Sequence, residues 1–295
     1  MRPYGYQWDW VSPAIKRDTW SGRWIFPNVR NHEHSVKHAE ATASDADLVI
    51  MYIHGGGFAL GTCTSYMDSF IYILERLQET HGLDARMFTI NYRLIPEYPW
   101  PHGQDDCVKA YRYLLDLGVK PSRIIMAGDS AGANLVSTST LAIRDQKLPL
   151  PHGHVLISPW VTLEADSPTF TTNAATDCIA RDLVAIKGPE AYLPQLKLLD
   201  DKARQRLLQN PRISPLYANL KGICPTLVSY GGLEIFQHDI EAFVRRLKEN
   251  HVDVEVLTRP DVPHIWVIEA LMSPSYSIWE EDCGRIVDWC ANRVK

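Results

Sequence analysis

Gly128-Asp129-Ser130-Ala131-Gly132 has the residue types and spacing to hold a nucleophile. Small residues on both sides of a serine permit the strained turn that lifts its hydroxyl clear of a sheet, provided a strand runs in and a helix runs out. The stretch "MAGDSAGANL", 126–135, has that context, with an apolar run ahead of the serine and a helix-forming run behind it. A serine attacking an ester carbonyl generates an oxyanion, and a second stretch offers backbone N–H groups to receive it. "MYIHGGGFALG", 51–61, ends an apolar run in a histidine and three glycines. Side chains at Gly56 and Gly57 would obstruct the approach of N–H donors to the developing charge. Glycine inside a regular element costs about 0.5–1 kcal/mol relative to alanine, so three in a row need such a reason. A phosphate cradle would need a lysine followed by serine or threonine, or a GxGxxG opening a helix. "HGGGFALGT" has neither.

Both stretches need a scaffold that brings them together. Apolar runs at 48–53, 86–91, 123–128, 154–158, 225–230 and 252–258 read as strands, and helical patterns cover about 66–80, 104–117, 131–145, 237–250 and 276–293. Strands that are apolar on both faces and alternate with helices predict an α/β fold, a mostly parallel sheet covered by helices on both sides. Two segments break the alternation. Residues 1–47 carry Trp8, Trp10, Trp20 and Trp24, then a polar stretch at 28–47 that reads as loop. Residues 160–215 hold short helical pieces interrupted by prolines, and read as an insertion forming a lid over one edge of the sheet. The expected division is an N-terminal segment at 1–47, a core at 48–159 and 216–295, and a cap insertion at 160–215.

Composition narrows the partners. With 295 residues, 45% of them hydrophobic, the chain can bury a sizeable core. A net charge of −5 gives no basic stripe of the kind that binds nucleic acid, and no apolar run approaches the roughly 20 residues of a membrane helix. The first residues lack a continuous apolar signal region, so the cytoplasm is the expected compartment. Six cysteines with no CxxC pair suggest buried free thiols, and neither a zinc site nor a disulfide framework. Asp105 and Asp106 read as opening a helix, and with no second acidic cluster beside them no metal site is expected.

"HGGGFALG", "NYRLIPEYPWP", "GDSAGANL", "ISPW" and "RISPLYANLKGICPTLVSYGGLE" follow one another in that order over about 50–270. Together they resemble the hormone-sensitive-lipase-like branch of the α/β-hydrolase fold. The resemblance implies an eight-stranded, mostly parallel sheet, a helical cap built from the N-terminus plus the insertion, and carboxylester hydrolysis. It also implies that Gly56, Gly57 and Ala131 donate the oxyanion-hole N–H groups. In this fold the catalytic groups run serine, acid, histidine along the chain, the histidine serving as base to Ser130 and the acid orienting it. His264 follows the last predicted strand, where the family's histidine belongs, whereas His251 lies at a helix–strand junction and reads as a solvated turn residue. Glu234 directly follows the strand at 225–230 and is the expected acid, although many relatives carry aspartate in a D-P-L motif there. Asp239 is the fallback; it and Glu241 otherwise read as charges on the next helix. His54 is expected to brace the glycine loop, and Asp129 to make a structural bond. No metal ion or organic cofactor is needed.

Phe58, Tyr98, Trp100, Trp160 and Trp266 stand beside the motifs and are candidates to line an apolar pocket. "GGLEIF" and "VPHIW" are similar to fungal relatives of the steryl acetyl hydrolases, which implies a hydrophobic, medium-sized ester, such as the acetate of a bulky alcohol or secondary metabolite. HGGG begins at residue 54, earlier than in many relatives, so the N-terminal part of the cap is expected to be abbreviated. That leaves either a more open pocket or one completed by a second subunit in a homodimer. Three rivals remain on sequence grounds. They are a ligand-binding module like the gibberellin receptors, which lack the histidine, a non-hydrolytic enzyme of the same fold, and an amidase or formamidase using the same residues.

Overall fold

The computed structural model describes residues 3–294. One sheet contains β1 (Ile15–Lys16), β2 (Ser21–Ile25), β3 (Leu48–Ile53), β4 (Ala85–Asn91), β5 (Ile124–Asp129), β6 (Gly153–Ile157), β7 (Thr226–Gly231) and β8 (Val254–Arg259). Their spatial order is β1-β2-β4-β3-β5-β6-β7-β8. From β4 to β8 neighbouring strands are parallel, while β2 runs antiparallel to both β1 and β4. The six strands read from apolar runs are all present. β3, β5 and β6 are buried along their whole lengths, because helices cover both faces and every position, not every second one, meets apolar neighbours.

The alternation along β3 shows how the layers divide. Val49, Met51 and Ile53 pack with Leu114 and Leu135 of the helices His102–Asp116 and Ala131–Asp145. Leu48, Ile50 and Tyr52 pack with Phe70, Leu74 and Ile286 of Met67–His81 and Tyr276–Val294. Successive side chains on a strand point to opposite faces, so one six-residue strand feeds two cores.

The N-terminal segment departs from expectation. Residues 15–25, assigned above to the cap's N-terminal part, extend the sheet, β2 pairing with β4 from Ser21↔Asn91 to Ile25↔Met87. Trp20 and Trp24 both pack on Phe88, at ring-centroid distances of 5.9 and 4.9 Å. Trp20 and Trp24 are therefore core residues, and β2 shields what would otherwise be an open strand edge at β4. Residues 28–47, read as loop, include the helix Ser35–Ala41, which buries Ala39. The segment between β6 and β7 carries short helices at Thr169–Thr172, Gly188–Tyr192 and Asp201–Leu208, with a wider turn at Leu183–Lys187. Cys178 in this segment is exposed, unlike the other five cysteines, which are buried. No helix among the described residues is long and apolar enough to cross a membrane.

Trp24 is fully buried, so Trp24→Ala should destabilise the protein by about 3–5 kcal/mol, measured by urea denaturation. A loss below about 1 kcal/mol would show that β2 is not part of the cooperative unit. For the same reason, deleting residues 1–20 should destabilise the fold, because it removes β1 from the sheet.

Candidate active site

Ser130 sits between the last residue of β5 and the first residue of the helix Ala131–Asp145. Its φ of 52° and ψ of −119° lie outside the regions that L-residues favour, a strain of about 1–3 kcal/mol that surrounding bonds must hold. Two loop contacts do so. The Ser130 N–H donates to the Ile157 carbonyl at 2.8 Å, and its carbonyl accepts from the Trp160 N–H at 3.1 Å. Ala131 opens the helix, so its N–H has no partner within the helix and lies at the positive end of the dipole.

The glycine loop is held against this turn by Asp129. Its buried carboxylate accepts from the Gly55 N–H at 2.9 Å, the Tyr52 hydroxyl at 2.9 Å and the Tyr66 hydroxyl at 2.8 Å. Burial raises the Asp129 pKa, while the Tyr66, Gly55 and Tyr52 donors pull the other way. His54 donates from Nδ1 to the Gly55 carbonyl at 2.8 Å and stacks on Tyr92 at 4.6 Å. Burial pushes its pKa down to about 4, against the smaller opposing effect of the Gly55 bond, so it is a neutral brace. Gly56 and Gly57 adopt φ of 99° and 62°. A Cβ on Gly56 would lie 2.5 Å from the Leu60 carbonyl oxygen, whereas one on Gly57 would meet nothing within 4 Å. At Gly56 a side chain is therefore barred by Leu60, a different obstacle from the crowded oxyanion approach expected from the sequence. At Gly57 the left-handed backbone favours glycine, and the space beside it is the pocket.

Glu234 follows β7 in the turn before the helix Gln237–Glu249 and is fully buried. Its Oε2 pairs with His264 Nδ1 at 3.0 Å. Oε1 accepts from the Gly231 N–H and, at 2.7 Å, from the Ser158 hydroxyl. Ser158 Oγ in turn accepts from the Ile265 N–H at 3.0 Å, so one hydroxyl links the carboxylate to the residue after His264. With Nδ1 carrying the proton shared with Glu234, Nε2 is the basic nitrogen of the ring. Burial disfavours the charged imidazole, but the Glu234 hydrogen bond and charge, with Asp177 and Asp129 adding to them, raise the His264 pKa overall.

A cavity of about 540 Å³ brings these parts together, with Ser130, His264, Gly56 and Gly57 in its wall. Ala131 and Glu234 stand directly behind it, one residue from Ser130 and in contact with His264. Apolar side chains from the β6–β7 segment, Ile179, Leu183 and Val184, complete the wall. Of the five aromatic candidates, only Trp160 lines the cavity. Phe58 lies behind it, stacked between Trp160 at 5.5 Å and Tyr192 at 4.0 Å. Tyr98 is half exposed under Arg93, and Trp100 lies near Arg212. Trp266 belongs to the core on the other side of the sheet, its indole N–H donating to Asp282 at 2.9 Å. Neighbourhood in sequence does not fix which face of a loop a ring takes. Asp239, the alternative acid, bonds Ser167 at 3.2 Å, and burial, opposed by that bond, pushes its pKa up to about 7. It is not the solvated helix charge read from the sequence. Asp106 lies in the opening turns of its helix, buried and ion-paired with the partly exposed Arg93 at 2.8 Å. His251 occupies an exposed turn at φ 58°. Sequence reasoning missed Tyr66, Ser158 and Asp177; the Ser-Pro just after β6 was the one available signal, since it marks a forced turn beside the site.

Over residues 50–268 the chain matches a protein family described as alpha/beta hydrolase fold. The chain belongs to that family. Within it, the chain is 31% identical over 217 residues to an acetyl-hydrolase of Streptomyces hygroscopicus, covering 74% of this chain and 67% of the relative. It is 34% identical over 218 residues to an esterase of Acinetobacter venetianus, covering 74% of this chain and 65% of that one. The aligned region thus spans about two thirds of those relatives. The crystal structure of an esterase from the bacterial hormone-sensitive lipase family superposes with a TM-score of 0.79 at 30% identity, over 97% of this chain and 86% of its own. The resemblance to the hormone-sensitive-lipase-like branch of the family is met by these relatives.

The His264 ring should titrate above the usual histidine value of about 6.5, holding its proton to higher pH than a free histidine. Nitrogen-15 NMR of the ring would show it, and Glu234→Gln should lower the midpoint by removing the adjacent charge. A wild-type midpoint at or below about 6.5 would contradict the electrostatics.

Proposed function

We propose that the protein is a serine carboxylesterase in which Ser130 is the nucleophile, His264 the base, Glu234 the orienting carboxylate, and the Gly56, Gly57 and Ala131 amides the oxyanion donors. The observation that carries this reading is the meeting of a strained serine and a carboxylate-paired histidine in the wall of one apolar cavity. His264 Nε2 takes the proton as Ser130 Oγ attacks the ester carbonyl, and Glu234 stabilises the resulting imidazolium. The imidazolium returns the proton to the leaving alcohol, and water, activated by the same nitrogen, then releases the acid from the acyl-enzyme. Each oxyanion donor lowers the barrier by about 2.7–4 kcal/mol. A module that only bound ligand would have no use for a histidine held in this tautomer by a buried carboxylate.

The cavity supports a hydrophobic, medium-sized ester. At about 540 Å³ it falls within the range that holds ligands of drug size and far exceeds the needs of a two-carbon acyl group. The acetate of a bulky apolar alcohol fits that disparity, and a relative is named an acetyl-hydrolase.

A fluorophosphonate should add once to the protein, at Ser130, with the adduct located by mass spectrometry. The wild type should hydrolyse p-nitrophenyl acetate and butyrate, and Ser130→Ala should abolish both. A folded wild type that neither labels nor turns over these esters would refute the esterase reading, and faster cleavage of an anilide than of the matching ester would make the protein an amidase. Glu234→Gln should lower kcat by about two to four orders of magnitude, as loss of the orienting acid does in serine triads. Asp239→Asn should cost less; if it costs more, the acid is misassigned.

A further inference from the structure

The β6–β7 segment does more than wall the cavity. At Asp177 it reaches the two loops that carry the proposed acid and base. Asp177 Oδ1 accepts from the His264 backbone N–H at 3.2 Å and from the Cys178 N–H at 2.7 Å. Its Oδ2 accepts from the N–H of Ile235, the residue after Glu234, at 2.8 Å. We infer that Asp177 is a positioning residue, whose carboxylate fastens the loops of Glu234 and His264 to each other and places a second negative charge beside the base. The inference rests on the Ser130–His264–Glu234 reading.

A short aspartate that caps its own turn needs only the local bond to Cys178. The other two partners lie 58 and 87 residues away in sequence, and both adjoin or belong to the acid–base pair. Neighbouring bonds work in the same direction. Asn173 donates to the Gly232 carbonyl at 3.1 Å and the Glu234 carbonyl at 2.9 Å, and Thr169 donates to the Ile235 carbonyl at 2.7 Å. The strap from Thr169 to Asp177 therefore seizes the turn bearing Glu234, and Asp177 alone among these three side chains also takes hold of the His264 loop. Directly after it come Cys178 and Ile179, both in the cavity wall, so the strap joins the substrate wall to the acid–base pair.

The charge has its own consequence. Four groups face His264 from the elements packed on it: Glu234 from the turn after β7, Asp129 from β5, Asp177 from the strap, and the Cys178 thiol, which lies 3.8 Å from the His264 carbonyl. Burial works against the imidazolium, and Glu234, then Asp177, then Asp129 favour it. Since His264 must be neutral at Nε2 to accept the serine proton, activity falls as pH drops through its pKa. Removing the Asp177 charge lowers that pKa and carries the acid limb to lower pH.

The test is the pH profile of kcat/KM for p-nitrophenyl butyrate in the wild type, Asp177→Asn and Asn173→Ala. Asp177→Asn should shift the acid limb down by about half a pH unit or more. It should also lower plateau kcat about tenfold with KM little changed, as expected when a base is misplaced and binding is intact. Asn173→Ala loosens the strap without changing charge, and should lower kcat by a smaller factor with the acid limb unmoved. Should Asp177→Asn fail to fold, Asp177→Ser, which keeps a local acceptor, should show the same direction of shift. An unmoved acid limb in a folded Asp177 variant, or an equal shift in Asn173→Ala, overturns the inference. Failure of the underlying triad reading is recognised separately, by a wild type that fluorophosphonate does not label.

Discussion

The Asp129 carboxylate is the interaction on which the geometry of the site depends. It belongs to the residue before Ser130, and it binds the N–H of the first glycine in the HGGG loop. One buried group therefore fixes the proposed nucleophile and the proposed oxyanion donors relative to each other. The strands beneath already place them close, since β3 and β5 pair in parallel with Ile53 opposite Gly128. That register leaves the loop and the elbow side by side at the same end of the sheet. The fit is tight: a Cβ on Gly55 would come within 2.2 Å of the Asp129 carboxylate. A buried carboxylate without partners would be costly, and the hydroxyls of Tyr52 and Tyr66 supply the remaining donors. Tyr66 also lines the cavity, so the group that satisfies the anchor forms part of the surface a substrate meets.

Strain gathers at the same end of the sheet. Phe58, Ser130, Ser158 and Ile265 all have φ between 46° and 63°. Such residues persist only where surrounding structure determines them. Each has a visible reason here. Phe58 is wedged between Trp160 and Tyr192, Ser130 forms the elbow, Ser158 turns its hydroxyl onto Glu234, and Ile265 returns its N–H to Ser158. Ile265 is β-branched, the type that tolerates this region least, and it immediately follows the proposed base, His264.

The central strands and their helices were legible in the sequence because each depends on a local pattern. Continuous apolar runs such as 48–53 report burial on two faces, and Gly128–Gly132 reports a turn that few other residues permit. What was not legible depends on partners distant in the chain. β2 becomes a strand because β4 offers it an edge, and nothing within "SGRWI" announces that partner. Trp266 and Trp160 are equally aromatic and equally close to motifs, yet one packs under the helix Tyr276–Val294 and the other lines the cavity. Ser158 and Asp177 act through single hydrogen bonds to residues 76 to 107 positions away for the serine and 58 to 87 for the aspartate, a kind of contact that periodicity and composition do not encode.

The two halves of the site rest on unequal foundations. The elbow and the glycine loop spring from β5 and β3, which have strands on both sides and are buried throughout. The proposed acid and base come from loops after β7 and β8, and β8 is the edge of the sheet with two exposed positions. Elements with fewer buried contacts and an open edge occupy the lower end of local stability, so the His264 loop is the part of the site least secured by the sheet itself. Three hydrogen bonds that reach His264 or the residue after it come from outside its own strand: from Ser158 after β6, Glu234 after β7, and Asp177 in the β6–β7 segment. A base must hold its position to a fraction of an ångström for proton transfer to be efficient. The segment that shapes the cavity therefore also supplies the rigidity that the edge strand lacks, and changes in the cavity wall and changes in the proposed acid–base pair are mechanically linked through Asp177.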